Sequence, residues 1–265
     1  MKASRLLLAL AIAATPLLAF AATTIAVDKA ELITDLQPNQ KRVLKLKVSN
    51  TGTEATPITV YSEDWQIANG APDFNNRTHP NGLGNRVTVA PSSFELVPGA
   101  SQEVTVVVDA GPGPFAAGSY WSAIFVQRAH LAATTVDTSS RGARMRIVER
   151  IGVLLFADSS PESKPLPADV AITGIKRTAQ GLDITVRNPS PYMRMVSNAV
   201  INLTPLAGGE TRKFPLCSFR LLPRSSQDAA VDLPANVTGL GRTSVLAVVD
   251  YGAEDLVVGE ARLTF

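Results

Sequence analysis

The sequence predicts an all-β protein built as two sandwiches in tandem. Three observations predict it. Apolar residues recur at alternate positions in short runs, clusters of Gly, Pro, Asn, Asp and Ser punctuate those runs, and nothing beyond the N-terminal apolar run is long and apolar at helical spacing.

The chain opens with a segment that stands apart from this pattern. Lys2 and Arg5 precede an apolar run from Leu6 to Leu18, and Ala19-Phe20-Ala21 offers small residues at both positions a signal peptidase reads. Residues 1–21 are therefore expected to be a secretory signal peptide, with Ala22 as the mature start. Pro16 breaks the run, and no later segment approaches ~18 uninterrupted apolar residues, so no membrane insertion is expected. The chain has 25 basic and 23 acidic residues, and Lys2 and Arg5 account for the whole net charge of +2. A neutral remainder without a long basic run argues against nucleic acid as the main partner.

Strands follow in order. Val43–Val48 (VLKLKV) alternates apolar and basic residues, as a strand with one wet face does. Ile58–Tyr61, Val87–Val89, Val104–Val108, Trp121–Val126 and Met145–Phe156 continue the series, separated by turn signals such as Asn50-Thr51-Gly52 and Pro98-Gly99. These place a first domain over residues 22–157. Residues 158–168 are polar and carry three prolines, which reads as a stiff linker. Patterning resumes in residues 169–265 at Val170–Ile175, Leu182–Val186, Val196–Leu203, Phe214–Leu221, Ala229–Leu233, Val245–Val249 and Leu256–Leu263. That number of strands in that length is the size of one immunoglobulin-like domain. The expected fold is two tandem immunoglobulin-like β-sandwich domains after a cleaved signal peptide.

The single cysteine, Cys217, cannot form an internal disulfide and reads as a small apolar residue buried in a strand. Enzyme chemistry is poorly supplied. The two histidines, His79 and His130, lie in loop-like surroundings without metal-ligand spacing, and no Gly-x-Ser-x-Gly elbow is present. The glycines of Asn81-Gly82-Leu83-Gly84 lack the Lys-Ser/Thr of a phosphate loop and read as a mobile loop. No enzyme, cofactor or metal is expected.

Six segments, in order, resemble the PapD-like periplasmic chaperones of chaperone–usher pilus assembly. They are Leu46-Lys47-Val48-Ser49-Asn50, Ser62-Glu63-Asp64-Trp65, the run from Val89-Ala90-Pro91 to Pro98-Gly99-Ala100, Arg187-Asn188-Pro189-Ser190-Pro191-Tyr192, Ser218-Phe219-Arg220-Leu221-Leu222-Pro223, and Val249-Asp250-Tyr251-Gly252-Ala253. The resemblance spans nearly all of the chain past the leader, as a divergent member. It implies a periplasmic chaperone that binds, stabilises and delivers fimbrial subunits by donor-strand complementation, with pilin subunits and an outer-membrane usher as partners. Whether the free protein self-associates through the donated strand is left open by the sequence.

On that resemblance the donor strand falls at Ala143–Phe156, where Met145, Ile147, Ile151, Val153 and Leu155 share one parity, interrupted by Glu149. The competing reading is a central strand of the first sandwich with no partner. The family anchors a subunit's C-terminal carboxylate with an early Arg and a Lys on the donor strand. Here the early position falls near Lys29 and the Lys position aligns with Gly152, so the resemblance points to Lys29 and Arg150 as the anchor. A guanidinium fork suits a carboxylate. The competing function is an exported tandem-sandwich structural or adhesive surface protein.

Overall fold

The computed structural model describes residues 24–68, 71–74, 79–112, 115–129, 148–159, 165–166, 168–237 and 239–265. The expected signal peptide, Met145, Ile147, His130 and most of the expected linker lie outside these residues.

The first sandwich is made of β1 (Ile25–Val27), β2 (Glu31–Leu36), β3 (Lys41–Asn50), β4 (Thr56–Glu63), the short β5 (Gln66–Ala68) and β6 (Ala71–Asp73), β7 (Val87–Ala90), β8 (Ser93–Leu96), β9 (Ser101–Asp109), β10 (Gly118–Arg128) and β11 (Arg150–Ser159). One sheet runs β1-β3-β9-β7, the other β2-β11-β10-β4-β8, and β5 and β6 pair only with each other. The chain changes sheet between β1 and β2. Asp28 pins this crossover to Lys47 through its backbone N–H (3.1 Å) and through its carboxylate, which accepts from the Lys47 N–H (2.8 Å). β2 can then run parallel to β11, whereas the other ladders of this domain are antiparallel.

Alternation explains the core. In β3, Leu46 and Val48 are fully buried while Val43, Lys45 and Lys47 face water, where Lys41 pairs with Asp109 (2.9 Å) and Lys45 with Glu103 (2.8 Å) across the ladder. The sandwich closes over Leu32, Leu46, Ile58, Val104, Ile124, Val153 and their neighbours.

The second sandwich comprises β12 (Ala171–Arg177), β13 (Gly181–Asn188), β14 (Arg194–Pro205), β15 (Arg212–Pro215), β16 (Phe219–Leu221), β17 (Ser225–Asp232), β18 (Arg242–Asp250) and β19 (Val257–Thr264). Its sheets are β12-β13-β17 and β15-β14-β18-β19, with β16 also on β14. Its own core lies around Leu182, Ile184, Ile201, Leu203, Val245 and Val249. Among the described residues the helical content is two single 3-10 turns, and no helix is long and apolar enough to cross a membrane.

Three local expectations need correction. The run Phe214–Leu221 is not one strand. It is interrupted between β15 and β16, opposite the irregularity of β14 at Ser197–Val200, although the Leu216 N–H still bonds the Ala199 carbonyl (2.9 Å) and its side chain is buried. Cys217, next along, is therefore exposed rather than buried in a strand. The expected linker also begins too early, since β11 runs through Asp158 and Ser159 and Ser159 is buried.

Candidate functional site

β11 is unequally paired along its length. β10 flanks it from Arg150 to Ser159, but β2 joins the other side only from Leu154 to Ser159, its arrival marked by the Leu154 N–H bond to the Ala30 carbonyl (3.0 Å). Among the described residues, Arg150–Val153 therefore has a strand partner on one side and an open edge on the other. Such an edge presents unpaired backbone donors and acceptors to another chain.

The two faces of β11 are committed differently. Val153 and Leu155 are fully buried in the first sandwich's own core, and Ile151 is part-buried against it. The expectation that these three present side chains outward is thus narrowed: parity directs them inward, and what this stretch offers outside is backbone. Of the other expected donor positions, Met145 and Ile147 lie outside the described residues. On the opposite face, Arg150 lays its guanidinium over Phe125 (4.1 Å to the ring centroid) and nearer the rim over Phe74 (5.9 Å). Its other contacts are long, to the Tyr61 hydroxyl (3.5 Å) and the Glu63 carboxylate (3.8 Å). A Cβ at Gly152 would stand 3.1 Å from Phe125 Cε1, so the ring occupies the space beside this glycine.

Lys29 is not brought to Arg150. It sits in the crossover between β1 and β2, exposed, and its ammonium donates to the Lys45 carbonyl on β3 (3.0 Å). Lys45 belongs to the other sheet, so the two expected anchor cations serve different sides of the sandwich.

Glu149, the residue that interrupts the apolar parity, has a definite role. Its carboxylate accepts from the Thr24 N–H (2.7 Å), the Thr24 hydroxyl (2.6 Å) and the Ile25 N–H (3.1 Å). It ties the start of β1, in one sheet, to the entry of β11, in the other.

A cleft of about 730 Å³ lies between the domains, with Trp65, Leu154, Phe156, Met195, Phe219 and Leu222 among its walls. Its back is an aromatic cluster on the outer face of the five-stranded sheet. Trp65, Trp121, Phe125 and Phe156 pack there against Leu222 and Met193 of the second domain. The Trp121 indole N–H donates to the Trp65 carbonyl (2.8 Å). Across the cleft mouth, Arg220 grips Glu31 with two hydrogen bonds, one of 2.7 Å from Nε, and lies over the Phe156 ring at 5.2 Å. Farther back, the Ser119 N–H donates to the Pro191 carbonyl (2.9 Å) and the Met193 N–H to the Ser119 hydroxyl (2.7 Å). Gly118 makes that approach possible: a Cβ there would meet the Pro191 carbonyl oxygen at 2.6 Å. The domains are thus held by an apolar patch with polar contacts at both margins. Sequence reasoning missed Arg220 as a site residue, because only Glu31, 189 positions away, gives it meaning.

The loop expected to be mobile is pinned. Leu83 is buried, its N–H bonds the Trp121 carbonyl (3.1 Å), and the Gly84 N–H donates to Asp64 (3.0 Å). His79 stacks on Trp121 with centroids 4.6 Å apart, and its Nδ1 accepts from the Asn81 N–H (3.0 Å). Burial holds its pKa below the ordinary histidine value, against the nearby Asp64 charge. Among the described residues no cluster of His, Cys, Asp and Glu could hold a metal ion.

No family model matches this sequence, and no curated protein does. Solved structures do match. The YadV chaperone has 14% identity and a TM-score of 0.47 over 91% of this chain and 100% of its own. The CupB2 chaperone of Pseudomonas aeruginosa has 15% identity and a TM-score of 0.46 over 90% and 100%. The CsuC–CsuE chaperone–tip adhesion subunit pre-assembly complex of Acinetobacter baumannii Csu pili has 10% identity and a TM-score of 0.48 over 89% and 97%.

Proposed function

We propose that this chain is a periplasmic chaperone that binds, stabilises and delivers fimbrial subunits by offering them the open edge at the start of β11. The observation that carries the reading is the half-paired strand: among the described residues β11 has partners on both sides from Leu154 and on one side only before it. The six ordered motifs support it, since they resemble the PapD-like chaperones from Leu46 to Ala253.

The physics is that of β-augmentation, of which donor-strand complementation is one form. A fold that lacks a strand has an apolar groove and unpaired backbone groups, both prone to aggregation. A strand laid in the groove pairs those groups, and each apolar side chain it buries contributes about 1.5–3 kcal/mol gross. Ordering both partners offsets much of that gain.

Arg150 is the cation beside this edge. Stacked on Phe125, the guanidinium fork makes long polar contacts among the described residues, to Tyr61 and Glu63, which suits it to a partner's carboxylate. Lys29, the second expected anchor, is held at the Lys45 carbonyl on the other side of the sandwich, so the reading rests the carboxylate contact on Arg150 alone. Delivery would be to an outer-membrane usher, and the same open edge would let two free copies pair.

Co-expression with a fimbrial subunit tests the reading. The subunit is expected to copurify, and Arg150→Ala to weaken capture at least about tenfold, from a charged hydrogen bond of about 1.5–3 kcal/mol. A natural chain that captures no subunit while remaining folded overturns the function. Full capture by Arg150→Ala removes the anchor.

A further inference from the structure

We propose that Glu149 and Gly152 set the register of β11 at its open end, and thereby decide which residues stand outside the sandwich for a partner to pair with. This rests on the chaperone reading for its consequence but not for its test.

The problem is one of degeneracy. A slip of one residue would turn every side chain of β11 to the wrong face, but a slip of two keeps the parity. The inward series from Ile151 to Ala157 is apolar, so hydrophobic pattern alone discriminates weakly between registers two residues apart there; at the far end the buried Ser159 hydroxyl is tied to the Ala116 and Gly118 carbonyls.

Phe156 in the aromatic cluster and the bonds of Asp158 and Ser159 hold the paired end, and at the open end two residues break the degeneracy, one on each face. If the strand slid inward by two, Glu149 would take the place of Ile151 against the core. Its carboxylate would leave the three donors of Thr24 and Ile25 for an apolar wall. A charge moved into such a site without partners is strongly disfavoured, and the two abandoned backbone N–H groups add to the penalty. The same slide would put Arg150 at the position of Gly152, where a Cβ presses on Phe125 at 3.1 Å. A slide outward by two would put Leu154 there instead. Gly152 therefore resists both directions, and Glu149 resists the one that would draw the offered residues into the protein's own core. Arg150 over Phe125 is a consequence of the same arrangement, since the absent side chain at 152 leaves the ring face to it.

The test reads register directly. In the full chain, the amide NMR signals of Arg150–Val153 are expected as a single set. Glu149→Val makes the inward series apolar without interruption, and Gly152→Ala penalises the native alignment. Each is expected to add a second set amounting to about a tenth of the intensity, with larger amounts in the double variant. Glu149→Gln, which keeps an acceptor for Thr24, is expected to retain one set. Thr24→Val loses one of the three bonds and is expected to speed exchange of these amides about threefold. It serves as the reporter if Glu149→Val does not fold. A single set of signals in Glu149→Val and Gly152→Ala, or unchanged exchange in Thr24→Val, overturns the proposal. Capture of a co-expressed subunit separates the two claims. Split signals in the variants with no capture by the natural chain would leave the register lock standing and remove the chaperone reading. Capture with no splitting would do the reverse.

Discussion

The central strands of the two domains, β10 and β18, have nearly the same length and neighbours but opposite burial. β18 alternates strictly: Val245, Ala247 and Val249 are buried, and Ser244, Leu246 and Val248 are half-exposed. β10 is buried almost throughout, with Ile124 and Val126 in the sandwich core and Trp121, Ala123 and Phe125 on the other face. An antiparallel sheet commonly leaves one face wet, as β18 does. The second face of β10 is dry because the second domain docks on it through Leu222 and Met193, and Tyr61, Phe74 and Arg150 cover Phe125. The lesson is that the cleft has a rigid back wall, because the large aromatic residues of that wall belong to a sheet already fixed by its own core.

Substitutions can break that contrast. The largest effect is expected from Trp121→Ala, which removes the centre of the docked face, its bond to the Trp65 carbonyl and its ring contact with His79. The first domain is expected to lose about 3–5 kcal/mol, against under about 1 kcal/mol for Leu246→Ala on the half-exposed face of β18. Chemical denaturation of the two variants checks it. Equal losses would mean that the second face of β10 carries little. A smaller effect is expected from Arg220→Ala. The Arg220–Glu31 pair is part-exposed, so its loss is expected to cost about 1 kcal/mol in global stability. Its clearer signature is loss of coupling, with the domains unfolding in two calorimetric steps instead of one. Retained single-step unfolding would show that the aromatic cluster alone couples the domains.

What the sequence disclosed follows from which forces are local. VLKLKV is legible as β3 because one wet face and one dry face write themselves as alternation. β2, Glu-Leu-Ile-Thr-Asp-Leu, is not legible, because its burial does not alternate and its pairing is with a strand far along the chain. Cys217 was misread for a similar reason: the interruption between β15 and β16 lies opposite an irregularity of β14 at Ser197–Val200, where Asn198 has a positive φ of 47°, which no pattern announces. At the site, the position of Arg150 on the strand face opposite the inward series followed from period two. That Val153 and Leu155 belong to the protein's own core required knowing which face the second sheet covers. The odd Glu149 was visible as an interruption, but its meaning lay in Thr24.

The subtlest expected difference between the regions is in pH dependence, and it isolates the docked side. His79 stacks on Trp121, and its pKa is lowered by burial. A histidine whose folded pKa lies below its unfolded value binds fewer protons when folded. Its contribution is complete above about pH 6.5 and is lost as pH falls through the folded pKa. Protonation also removes the Nδ1 acceptor from the Asn81 N–H, which favours the same direction. The carboxylates Asp35 and Asp109 have pKa values lowered by Arg42 and Lys41, so they titrate in a more acidic window, below about pH 4. A stability profile is therefore expected to slope downward in two separate steps on acidification. His79→Gln should flatten only the one just below pH 6.5, and Arg42→Leu should diminish only the other. A profile of His79→Gln that still slopes there would place the titrating group elsewhere and remove the stacked imidazole as the sensor of the docked face.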